Sequence, residues 1–288
     1  MCHRRPAGPS DILSTLVRAR TLCSTLGVAS AVALSMTGCD AGTTKLIGAD
    51  FPAAACSVAP MAPPAGTNAF YKKSFAGSGI PVQSSGAVSD PALSQACLIV
   101  VHMLSARDDV RAQMMSQQQR VVVLGVNEVT TEVPEYRNLY DDFPGQDWDK
   151  LRGVGATLVI PVSSAGEENL LCLGHEPYAG ENVLVQTFAT AVLLGVTAVD
   201  DTFDARLQSA YSDAMRTGNW QNTYAAVNRI EYYAQGVQAW FEASPSVSPP
   251  DGGHNDVNTR AKLRAYDPAL AALVAETMPA DSWRPRCP

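Results

Sequence analysis

A catalytic centre needs groups that hold a metal, take up protons or attack, and this 288-residue chain offers few imidazoles and thiols: four histidines and seven cysteines. Cys172-Leu173-Gly174-His175 sets a thiol close to an imidazole, but catalytic pairs of that kind are usually assembled from distant segments. Ser163-Ser164-Ala165-Gly166 lacks the G-x-S-x-G turn that lifts a serine nucleophile above a sheet. His175, His254 and Glu231, with Asp251 and Asp256 flanking His254, are the candidates for a metal site. The aspartates lack the alternating oxygen ligands and terminal glutamate of a calcium loop, and both histidines are expected on solvent-facing loops.

The most informative stretch is Gly180-Glu181-Asn182-Val183-Leu184-Val185-Gln186-Thr187-Phe188-Ala189-Thr190. In an H-E-x-x-H helix two imidazoles one turn apart hold zinc, and the glutamate after the first activates a water. Here those three positions are Gln186, Thr187 and Thr190. Amides and hydroxyls are poor zinc ligands beside imidazole, and threonine takes no proton from water at neutral pH. A second stretch, Glu231-Tyr232-Tyr233-Ala234-Gln235-Gly236-Val237-Gln238-Ala239-Trp240-Phe241, also reads as a helix.

Taken in order, the two stretches resemble a group of exported zincin-type metallopeptidases, distantly like the anthrax lethal factor catalytic domain. In that family the first helix reads approximately G-E-N-I-L-V-H-E-F-A-H and the later one E-Y-W-A-E-G-V-Q-S-W-F. The resemblance extends from Phe70-Tyr71-Lys72-Lys73 through Gly166-Glu167-Glu168-Asn169-Leu170-Leu171 to Asn258-Thr259-Arg260 and Ala265-Tyr266-Asp267-Pro268. It implies a zincin-like α+β fold. It also implies that Gln186 and Thr190 replace the zinc histidines, that Thr187 replaces the general base, and that Glu231 matches a carboxylate ligand. Gln235 then replaces a second glutamate near the metal. Zinc is the cofactor of the active family, and no metal or cofactor is expected here. The former cleft is expected around Glu231, Tyr232, Tyr224 and His254.

The surrounding elements must place these residues. Asp90-Pro91 opens a helix carrying Leu93, Ala96, Cys97, Val100, Val101 and Leu104 at helical spacing. A short helix is predicted from Asp108 to about residue 118, and strands at Arg120–Val126 and Thr157–Val162. Residues 130–155 read as turns, and helices are predicted at about 181–196, 203–217, 224–243 and 268–276. Pro245 to Gly253 reads as a loop. A small sheet followed by a mainly helical half is an α+β pattern.

Residues 1–38 carry Arg4, Arg5, Arg18 and Arg20, then an uncharged run from Leu22 to Met36, and so read as a signal peptide. Met36-Thr37-Gly38-Cys39 resembles a bacterial lipobox, with Cys39 the lipidation site; ordinary secretion is the alternative. Residues 39–68, rich in alanine and proline, read as a tether, and 69–288 as the domain. Cys56, Cys97, Cys172 and Cys287 remain for two disulfides in any of three pairings. The net charge is −7 and falls further when the basic leader is removed, so nucleic acid is not an expected partner. Membrane contact is expected through the lipid anchor alone.

These observations predict a catalytically degenerate, metallopeptidase-like lipoprotein of the cell envelope that binds an extracellular peptide or protein. The alternative is a peptidase working through a rearranged site in which Glu231 acts with His175 or His254.

Overall fold

Phe75, Ile80 and Val82 are buried on two short strands, β1 (Lys73–Gly77) and β2 (Ile80–Ser84), which pair antiparallel. Ser78 and Gly79, both at positive φ, form the two-residue turn between them, the backbone a tight hairpin demands. Sequence reading missed this hairpin because neither strand is rich in β-branched residues. The computed structural model describes residues 56, 57, 59–174 and 178–286. The signal peptide, Cys39, His175 and Cys287 lie outside them.

Helix α1 (Asp90–Met103) follows, with Pro91 in its first turn, then α2 (Asp108–Ser116) and strand β3 (Arg120–Leu124). A turn-rich stretch leads to β4 (Val162–Gly166). The sheet order is β1-β2-β3-β4, with β3 parallel to both neighbours. The strand expected at Thr157–Val162 is therefore displaced: only Val162 belongs to β4, and residues 157–160 form a turn. Thr157 Oγ1 accepts the Val159 and Ile160 amides there, and Pro161 has no amide to give a ladder.

The C-terminal half is helical: α3 (Val183–Val199), α4 (Phe203–Thr217), α5 (Arg229–Trp240), α6 (Arg260–Tyr266) and α7 (Pro268–Ala275). The fold is α+β, as expected. The predicted helix at 224–243 divides into a single turn at Tyr224–Ala226 and α5, because Asn228 caps α5 by accepting the Ile230 and Glu231 amides.

Strand alternation explains the core. Val121 and Val123 face the large cluster shared by α1, α3 and α5, while Val122 and Leu124 face a smaller one with Tyr71, Tyr136, Leu139 and Trp148. Each fully buried large apolar side chain contributes roughly 1.5–3 kcal/mol.

Cys56 and Cys97 form a disulfide, and Cys172 is disulfide-bonded as well. Met61 pairs with Ser74 on the outer edge of β1. The packed structure thus reaches back at least to Cys56, upstream of the boundary expected at residue 69.

Candidate functional site

Two asparagines set the helices that carry the site. Asn182 caps α3 by accepting the Val185 amide at 3.1 Å. Asn169 holds the approach to that cap, donating to the Glu181 carbonyl and accepting the Val183 amide, both at 2.8 Å. With Asn228 capping α5, the helices pack so that Gln186 Nε2 donates to Glu231 Oε2 at 3.1 Å. The two stretches that sequence comparison placed at one site therefore meet. Glu231 is buried at 4% exposure, while Gln186 is half-buried.

Thr187 and Thr190 are turned to internal work. Thr187 Oγ1 donates to the Ser164 carbonyl of β4 at 2.9 Å, and Ser163 Oγ donates back to the Thr187 carbonyl at 2.9 Å. Thr190 Oγ1 donates to that same carbonyl at 2.7 Å. Both threonines are buried beneath the segment that precedes the 157–160 turn. A Cβ added at Gly155 would lie 2.7 Å from Thr190 Oγ1, and one at Gly153 3.2 Å from Thr187 Cγ2, so only glycine lets the backbone approach this closely. Val154 accepts the Ser164 amide through its carbonyl and donates to Ser164 Oγ, holding this segment against β4.

A buried polar chain runs on from the Gln186–Glu231 contact along α5. Gln235 Nε2 donates to Gln238 Oε1 at 2.8 Å, and Gln238 Nε2 donates to Glu181 Oε1 at 3.0 Å. His254 Nε2 lies 3.1 Å from Glu181 Oε2. His254 is 5% exposed, which corrects the expectation of a solvent-facing loop. It is drawn inward because Asp251 Oδ1 accepts its amide and Glu181 meets its ring. Tyr224 is half-buried beside this loop, its amide donating to the Gly253 carbonyl.

Tyr232 lies elsewhere than expected. It is fully buried, stacks edge-on with Trp220 and donates to Asp267 Oδ2 at 2.7 Å. Burial, then the Asp267 carboxylate, pushes its hydroxyl pKa far above the ordinary tyrosine value. Trp220, Tyr233, Trp240 and Phe241 are likewise core residues.

The donor set does not fit a catalytic zinc, which needs three protein ligands and an open position. Both threonine hydroxyls are committed to carbonyls, backbone fills the space beside them, and the remaining groups at these positions are amides and one carboxylate. Among the described residues no three histidine, cysteine, aspartate or glutamate side chains cluster as a metal site. Of the two histidines that could act with Glu231 in a rearranged site, His254 meets Glu181, and His175 lies outside the described residues.

Sequence reading weighed Ser163 and Ser164 only as nucleophiles and missed Gly153, Gly155, Asn169 and Gln238 as site residues. Asn169 and Gln238 lie inside the matched stretches, which was the available signal; the two glycines carry none. A separate open cavity of about 680 Å³ lies at the carboxyl ends of β2, β3 and β4, beside Phe70, Val126, Glu128 and Glu167. None of residues 186, 187, 190, 231 or 235 lines it.

No protein-family model matches this chain, and no curated protein does. Among solved structures it is similar to the Pro-Pro endopeptidase PPEP-2 from Paenibacillus alvei. The likeness has 15% identity and a TM-score of 0.40, covering 64% of this chain and 90% of the other. A likeness that distant carries no assignment of activity.

Proposed function

We propose that this chain is a cell-envelope lipoprotein whose metallopeptidase-like domain has lost zinc and hydrolysis and serves as a binding module for an extracellular peptide or protein. The observation that carries the reading is the Gln186–Glu231 contact. The residue standing for a zinc histidine and the one standing for a carboxylate ligand meet, with an amide where the imidazole would be. The ancestral mechanism needs a metal-bound water and a base beside it, and Thr187 spends its hydroxyl on the Ser164 carbonyl.

Export and lipidation rest on the basic, apolar and Met36-Thr37-Gly38-Cys39 segments of the leader. Among the described residues no helix is long and apolar enough to cross a membrane. An acyl chain on Cys39 would supply attachment at about 0.8 kcal/mol per buried methylene.

Metal analysis of the purified mature protein tests the central claim. The expected result is no tightly held zinc, and a stoichiometric zinc that survives dialysis sinks the proposal. Mass spectrometry of the N-terminal peptide tests the anchor, which requires a diacyl-glyceryl mass on Cys39.

A further inference from the structure

The chain enters the domain through a buried disulfide before it reaches any strand. Cys56 and Cys97 are both essentially inaccessible, and Ser94 Oγ donates to the Cys56 carbonyl. Cys97 sits in mid-α1, among Leu93, Ala96 and Val100 of the large core. The next attachment along the chain is much lighter. Met61, itself 64% exposed, exchanges two backbone hydrogen bonds with Ser74, at 2.9 and 2.8 Å. Ser74 belongs to β1, the terminal strand of the sheet.

We propose that Cys56–Cys97 is a mechanical staple: a pull arriving through the chain before Cys56 crosses the sulfur–sulfur bond into α1 and bypasses residues 57–96. The reasoning is topological. A covalent bridge between two points of a chain is the shortest path for tension, so everything inside the bridged loop stays slack. That loop contains β1, β2 and the Met61–Ser74 bridge. Without the bridge, tension first draws residue 56 away from Ser94, then reaches the Met61 bonds and β1, an edge strand whose ladder opens one bond at a time from its end. With it, α1 must be dragged from the core as a unit, so many packing contacts resist together. The biological use of such a staple rests on the lipid-anchor reading, since an anchored protein is pulled through its N-terminus.

Single-molecule force spectroscopy decides the matter, with one handle at Ala54→p-azidophenylalanine and the other on a C-terminal tag of the full mature chain. The oxidised protein is expected to rupture at high force with no earlier step. In C56S/C97S a low-force step appears first, and the total length released grows by about 140 Å, the contour of the freed loop. A C56S/C97S chain that gains this length but first yields at the parental force overturns the proposal.

Moving the first handle to Met61→p-azidophenylalanine, with the disulfide intact, removes any dependence on the double variant folding. Tension then returns through residues 57–60 to the bridge, so no step longer than about 20 Å, the contour of that short arm, is expected before the main rupture, and an early longer step overturns the proposal. Neither measurement depends on lipidation, so an unacylated Cys39 would remove the anchor reading and leave the mechanical result standing.

Discussion

Thr187 ties helix α3 to strand β4 through its hydroxyl. Replacing it with valine keeps nearly the same volume and removes only the hydroxyl. The Ser164 carbonyl then loses the donor that lies 2.9 Å away, in a residue with no exposed surface. A buried acceptor left without a partner costs about 1–3 kcal/mol. Thr190→Val is the internal control. Its hydroxyl donates to the Thr187 carbonyl, which already receives the Ser163 hydroxyl and the helical amide four residues on. No acceptor is orphaned, and the cost is about 0.5 kcal/mol. For a domain of this size 1 kcal/mol moves the melting temperature by roughly 2–4 °C. Thr187→Val should therefore melt about 2–12 °C below the parent, and Thr190→Val within about 2 °C of it. Calorimetry on the oxidised proteins measures both. A Thr187→Val loss no larger than that of Thr190→Val would refute the claim that this hydroxyl has a structural task.

Other outcomes follow from the same geometry. Removing the Cys56–Cys97 bridge, with its separation of 41 residues, frees a loop whose chain entropy corresponds to about 4 kcal/mol, so C56S/C97S should lower the melting temperature by about 8–16 °C. Gly155→Ala drives a methyl to within 2.7 Å of Thr190 Oγ1 and should cost about 1–3 kcal/mol in chemical denaturation; a neutral result would mean that the segment is not tightly seated. Burial, with Trp283 stacked on the ring, holds the His102 imidazole below its ordinary 6.5. The unfolded chain then binds the proton more readily, so this residue's contribution to stability is present above that value and is lost as pH falls below it; an NMR titration midpoint at or above 6.5 would contradict this. Q186H, T187E, T190H and Q235E introduced together should give no tight zinc binding in calorimetric titration, because the backbone at Gly153 and Gly155 already lies against Thr187 and Thr190; stoichiometric zinc binding would contradict the close seating of that segment.

The parts of this fold legible in the sequence were those written in local chemistry. Pro91 marks the start of α1, the valine run 121–123 marks a buried strand, and the apolar stretch after residue 181 marks α3. The hairpin β1–β2 was not legible, since its signal is two residues at positive φ and one of them is serine. Nor was β4. Its Val-Ser-Ser-Ala-Gly sequence has little strand propensity and is fixed by pairing with β3 on one side and Val154 on the other. The exposure of His254 was misjudged for the same reason: a histidine between glycine and asparagine reads as a solvent-facing loop, and the carboxylate of Glu181 that meets its ring is far away in sequence.

At the site itself the buried polar groups could have been left without partners, each then costing a few kcal/mol. Instead Gln186 meets Glu231, Thr187 meets the Ser164 carbonyl, Thr190 meets the Thr187 carbonyl, and Gln235 meets Gln238 and through it Glu181 and His254. These hydrogen bonds join three elements, β4, α3 and α5. Such a network supplies the rigidity that a metal gives without needing charged ligands held close together. Thr187 and Thr190 lie buried within this network, so a ligand meeting this part of the domain would contact the surface around them and not the floor they form.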